Sequence, residues 1–163
     1  MSDAQKYCQE LGVNELTDHL GRGSLALQDY VSAMHSYMQA VEPGVKAFAH
    51  YSREIVELQL ERLEPLRHTG NPLPALYGVP IAIKDNIDTQ DYPTEFGFAG
   101  AAGRTPSVDA LLVHKLRAAG AVVWAKALTT ELAYVQPTIT ENPTAPGHTP
   151  GGPVRLPLYG TTV

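Results

Sequence analysis

The apolar positions Leu27, Tyr30, Val31, Met34, Met38 and Val41 recur at steps of three and four, the spacing that lines up one face of an α-helix. Ser24 stands before them as a candidate N-cap, and Pro43 with Gly44 stands after them as a stop. A short extended run over residues 45–51 is predicted next. Ser52 can then cap a second helix bearing Glu54, Glu57, Glu61 and Glu64, which Pro65 ends or kinks. Residues 69–74, Thr-Gly-Asn-Pro-Leu-Pro, break any regular ladder and read as a linker over a turn.

Beyond that linker the period changes. Residues 79–83 are continuously apolar between Gly78 and Asp85, which predicts a strand buried on both faces, with Pro80 tolerable only near its start. A second strand is predicted over residues 121–125, Ala-Val-Val-Trp-Ala. Between them lies a predicted helix over residues 107–119, with Ser107 as cap, Gly120 as terminator, and Leu111, Leu112, Lys115, Leu116 and Ala119 as its stripe. Strand, helix, strand implies parallel pairing with a right-handed crossover, so the expected class is α/β. The connection over residues 85–106 has 22 residues without clear periodicity, longer than such connections usually are, and is read as functional. Residues 137–163 hold six prolines and four glycines and are expected to be loop or disorder. There is no repeat period.

Composition narrows the picture. With 163 residues, 44% hydrophobic and 18% charged, the chain is long enough for one core and short for two. A net charge of -5 supplies no basic field, so nucleic acid is not an expected partner. Cys8 is alone and cannot form an internal disulfide, which fits a reducing compartment, and it is read as a structurally neutral thiol. The first fifteen residues contain no apolar core of a signal sequence, and nowhere do about 18 apolar residues run together. A cytoplasmic, soluble protein with no membrane partner is expected.

Two lysines stand at strand ends. Lys84 closes the first apolar strand, sharing a face with Ala82 and Pro80, while Val79, Ile81 and Ile83 share the other. In an open parallel sheet, ligands bind beyond the carboxyl ends of strands, and burial there would favour the neutral amine and make Lys84 a usable base. Position alone favours a plainer fate, a salt bridge to Asp85 or Asp88. Lys126 occupies the equivalent place on the second strand and is expected to be solvated or paired with Glu131. Gly97, Gly100 and Gly103 match no phosphate-binding pattern and read as permissive loop backbone. The histidines at 19, 35, 50, 68, 114 and 148 never approach zinc-ligand spacing, so neither metal nor cofactor is expected.

The run from Leu76 to Asp88, Leu-Tyr-Gly-Val-Pro-Ile-Ala-Ile-Lys-Asp-Asn-Ile-Asp, resembles the lysine segment of the amidase signature family. Arg117 to Ala121 with Lys126 and the segment Thr129 to Ala133 is similar to that family's next block, and Asn142-Pro143 with His148 to Gly152 resembles the approach to its serine-rich loop. The likeness covers about residues 11–152 and implies the N-terminal part of an amidase fold, a mixed sheet between helices, left incomplete. It also implies hydrolysis of carboxamides by a Ser, cis-Ser, Lys triad, and only Lys84 carries over as a catalytic residue. A small-molecule amide is then the expected substrate of the completed enzyme, and a homo-oligomer or a partner chain is compatible with it.

Three departures accompany the likeness. Pro153 stands where the family's bridging serine follows a Gly-Gly pair, and proline has no hydroxyl to relay a proton. No serine occurs after Ser107. Glu95-Phe96 is bulky where the family usually has small residues. Residues 153–163, which do not resemble the family, are expected to be a disordered tail, and an interrupted reading frame or a truncated product is the expected origin. The chain is expected to be inactive alone and marginally stable, with uncovered strands. Two other readings stand beside this one: part of a glutamyl-tRNA amidotransferase A-type subunit, or a non-catalytic module that docks through the helix from Leu25 to Ala40.

Overall fold

The computed structural model describes residues 11–149, so Cys8, the Gly-Gly pair, Pro153 and the tail lie outside the described residues. In chain order the elements are α1 (Val13–Arg22), α2 (Leu27–Val45), β1 (Phe48–Tyr51), α3 (Arg53–Leu63), β2 (Pro80–Lys84), α4 (Leu111–Ala118) and β3 (Val122–Ala127). Short 3-10 turns occupy Glu64–His68, Ala99–Ala101 and Glu131–Ala133.

Helix α1 is not expected from the sequence, because only Leu16 and Leu20 mark its buried face among polar residues. It starts where the Glu15 carboxylate accepts the Gly12 N–H (3.0 Å) and stops at Gly23, whose φ of 72° is left-handed. Ser24 therefore faces this helix end instead of capping α2: its hydroxyl donates to the His19 carbonyl (3.2 Å). Helix α2 begins without a side-chain cap and runs through Pro43 to Val45. A proline so near the end removes a single N–H from the last turn, and the stop is Lys46, left-handed at φ 55°. The predicted stripe holds, with Leu27, Tyr30, Val31, Met34 and Met38 all buried.

Ser52 caps α3 as expected, its hydroxyl accepting the Ile55 N–H (3.3 Å), and the chain tightens into a 3-10 turn through Pro65. The three strands lie in the order β1-β3-β2. Strand β2 pairs parallel with β3, matching Ile83 to Lys126 and Lys84 to Ala127, whereas β1 pairs antiparallel with β3. The sheet is mixed and the class is α/β. Strand β2 is an edge, so it is not buried on both faces: Ala82 and Lys84 are exposed.

Helices α1 to α3 cover the sheet through Leu20, Met34 and Leu60, which cluster with Val122 and Trp124. A second cluster joins Val113 of α4 to Ile83, Tyr92 and Val123. Helix α4 departs most from expectation. Ser107 does not cap it, the helix starts only at Leu111, and Leu111 and Leu112 are 70% and 53% exposed while Val113 is fully buried. At 100° per residue, turning Val113 and Leu116 inward carries Leu111 to the opposite side and leaves Leu112 on the flank. Gly120 ends the helix as expected, at φ 91°. Among the described residues no helix is long and apolar enough to cross a membrane.

Candidate active site

Alternation along β2 sends Lys84 and the residue after it to opposite sides. Lys84 is exposed, and its ammonium makes no hydrogen bond or ion pair among the described residues. Both carboxylates that position offered it are engaged elsewhere, so the salt-bridge expectation is corrected. Asp88 holds the Arg104 guanidinium with two bonds of 2.7 and 2.9 Å, which keeps its carboxyl below the usual carboxylate range. Asp85 is buried, and its carboxylate accepts the Glu95 N–H and lies 3.5 Å from the Lys126 ammonium.

Lys126 is the larger correction. It is fully buried within β3, and exposed Glu131 is not its partner. Its three ammonium protons are accounted for by the Ile87 carbonyl (3.0 Å), the Pro93 carbonyl (3.1 Å) and the Thr94 hydroxyl (2.5 Å). Burial pushes its pKa down, and the facing Asp85 carboxylate pulls it back up.

The long connection after β2 is organised around these charges. Asp85 closes onto the sheet through its N–H to the Ala127 carbonyl (2.9 Å), and its own carbonyl accepts the Phe96 N–H (2.9 Å). Glu95 turns back to accept the Gly103 N–H (2.5 Å) and meets His50 Nε2 at 2.9 Å. The Gly103 bond is the first cause of its lowered pKa. Tyr92 is buried and donates its hydroxyl to the Trp124 carbonyl (3.1 Å). Arg117 of α4 bridges Asp91 (2.6 Å) and Asp109 (3.0 Å). Phe96 carries a left-handed φ of 58° and packs under the Arg104 guanidinium.

A shallow hollow of about 450 Å³ lies beside the connection, lined by Asn86, Ile87, Asp88, Phe96, Val108, Asp109 and Ala110. Lys84 is not on its wall. The arrangement presents one unpaired amine at the carboxyl end of an edge strand, backed by an internally hydrogen-bonded and neutralised loop. That amine can accept or donate a proton, and no nucleophilic hydroxyl stands beside it in the sequence. The sequence does not reveal Asp85 and Lys126 as a pair. The available signal is parity, since Asp85 falls on the face of Ile83, but the register that brings Ile83 to Lys126 is not legible without the fold.

The profile of the Amidase family matches residues 29–153. The A-type subunit of the glutamyl-tRNA(Gln) amidotransferase of Solidesulfovibrio magneticus is 36% identical over 149 residues, which is 87% of this chain and 30% of that protein. The native peptide amidase of Stenotrophomonas maltophilia superposes with a TM-score of 0.73 at 26% identity, covering 85% of this chain and 28% of its own. A solved structure described as a vestigial protein complex bearing on the origins of an s-triazine catabolic enzyme gives a TM-score of 0.81 at 26% identity, covering 88% and 33%. The chain thus spans about a third of the length of the proteins it resembles.

Proposed function

The chain belongs to the amidase family, and from that premise we propose that it supplies the lysine of an amide hydrolase acting through a serine, cis-serine, lysine triad. The observation that carries the reading is the isolation of Lys84: an amine at a strand's carboxyl end whose two neighbouring carboxylates are held by Lys126 and Arg104. In the proposed reaction neutral Lys84 takes a proton from a bridging serine, which takes one from the attacking serine as it adds to the amide carbon. The leaving amine departs with a proton returned along the same path, and water then releases the acyl group as carboxylate. Removing water from around Lys84 is part of this scheme, because the amine must be neutral to act and is exposed here.

No serine follows Ser107, and Pro153 stands at the bridging position by resemblance, so in this reading residues 108–163 do not supply the two serines. The test is ammonia release from simple carboxamides. The purified chain alone is expected to match its Lys84→Ala variant at background. Release that Lys84→Ala abolishes would make the chain a complete catalyst and sink the reading of a lysine-bearing portion.

The amidotransferase relatives favour a second reading, a portion of an A-type subunit that works within a complex. Transamidation of glutamyl-tRNA(Gln) with the other subunits present would support it, and hydrolysis of simple amides alone would not. The reading of a docking module loses its basis in the helix from Leu25 to Ala40, because the apolar face of α2 is spent inside this chain's own core.

A further inference from the structure

Around the Lys84-Asp85 step, the chain holds Asp85 on four sides. Its N–H bonds the Ala127 carbonyl, its carbonyl accepts the Phe96 N–H, its carboxylate accepts the Glu95 N–H at 3.2 and 3.3 Å, and the Lys126 ammonium lies 3.5 Å away. The same ammonium spends its three protons on the loop at Ile87, Pro93 and Thr94. It is the one cation placed against Asp85 among the described residues.

We propose that Lys126 is a positioning residue for Lys84: by claiming Asp85 from inside the sheet, it prevents the adjacent carboxylate from pairing with Lys84 and leaves that amine unpaired at the strand end. Local chain geometry supports the need for such a device. A carboxylate one residue from an exposed lysine, at a point where the strand gives way to loop, requires only a rotation of backbone and side chain to meet it. A buried carboxylate without a counter-charge is also expensive to keep, so Asp85 would leave the interior if Lys126 were neutral. The role is indirect, since Lys126 and Lys84 point to opposite faces of adjacent strands, Ile83 being the residue opposite Lys126.

The inference rests on the reading of Lys84 as the working amine, and its test involves no hydrolysis, so an absence of amidase activity would sink that reading separately. The full chain is labelled with a water-soluble succinimidyl ester and each lysine's rate is read by mass spectrometry, with near-ultraviolet circular dichroism as the check on folding. In the unaltered chain Lys84 should react like exposed Lys46, and Lys126 should be protected. In Lys126→Met, Asp85 turns to the remaining cation and Lys84 labelling slows about threefold, the effect of one exposed ion pair. Adding Asp85→Asn should restore the original rate. A merely structural role for Lys126 would not give this reversal, because a loosened loop leaves Lys84 as fast or faster in both variants. An unchanged or faster rate in folded Lys126→Met overturns the proposal. If Lys126→Met does not fold, Asp85→Asn alone decides, since it keeps an oxygen for the Glu95 N–H. An unchanged Lys84 rate supports the proposal, and a faster one shows that Asp85 was already restraining Lys84 and overturns it.

Discussion

Gln59 and Val123, 64 positions apart, make a complete backbone-like pair: the Gln59 amide donates to the Val123 carbonyl (2.9 Å) and its oxygen accepts the Val123 N–H (2.9 Å). Strand β1 reaches only as far as Ala125 along β3, so Gln59 satisfies β3 where the neighbouring strand runs out. Arg117 Nη1 donates to the same amide oxygen (2.5 Å), tying α4 into the pair. Gln59→Leu keeps the bulk and strands both Val123 groups in the core. The expected loss is about 2–4 kcal/mol in urea unfolding, and a loss within experimental error would mean that water or a shifted β1 takes over the pairing.

Gly97 sits at φ 59° with its Cα facing the 129–130 backbone, where an added Cβ would lie 2.5 Å from the Thr129 carbonyl oxygen. Backbone cannot yield as a side chain can, so Gly97→Ala should destabilise by about 2 kcal/mol or more. Gly103 shares the left-handed conformation, at φ 77°, but has open space around it. Gly103→Ala should therefore cost only about 1 kcal/mol. Equal losses in paired urea melts would show that the close approach at Gly97 relaxes freely.

Much of the fold is legible in the sequence because its signals are local. The apolar runs at 79–83 and 121–125 announce β2 and β3, and the i, i+3, i+4 pattern announces α2. What escapes depends on partners that the local pattern does not name. The stripe on α4 reads as Leu111 and Leu112 because hydrophobicity cannot say which side the sheet lies on, and Val113 takes the inward place. Ser24 looks like a cap until α1, which precedes it in the chain, brings His19 to it. In the site, Lys84 is legible as a strand-end lysine, but the salt bridge expected for it is decided by Lys126 and Arg104, which lie 42 and 20 positions further on.

His35 is buried between Tyr51 and Trp124, and its ring pairs with the Tyr51 hydroxyl. Burial lowers its pKa from the usual 6.5, Arg53 lowers it further, and Glu57 opposes. The sign follows from proton counting. The unfolded chain protonates this imidazole as pH falls below about 6.5 while the folded chain resists, so the unfolded state binds more protons and stability falls with acidification. The urea midpoint should drop between pH 7 and the depressed folded value, then level off as far as His35 is concerned. In His35→Gln that portion of the slope should disappear. A slope that survives the substitution would assign it to other groups.

The stability of the Lys126-Asp85 pair can be separated from its effect on Lys84. A pair buried this completely gains little over a well-packed apolar replacement, because the desolvation of two charges offsets most of their attraction. Breaking it on one side is different: Lys126→Met takes the counter-charge from Asp85, drives its carboxylate out of its buried seat and off the Glu95 N–H, and removes the donor from three loop oxygens, for an expected loss of about 3–5 kcal/mol. Asp85→Asn in the same chain lets a neutral side chain keep the buried seat but cannot return the donors, so Lys126→Met/Asp85→Asn should recover part of the loss and not all of it. Trp124 fluorescence during urea unfolding reads all three variants. If the double variant were no more stable than Lys126→Met, the ammonium's bonds to Ile87, Pro93 and Thr94, and not its charge against Asp85, would be what holds the loop.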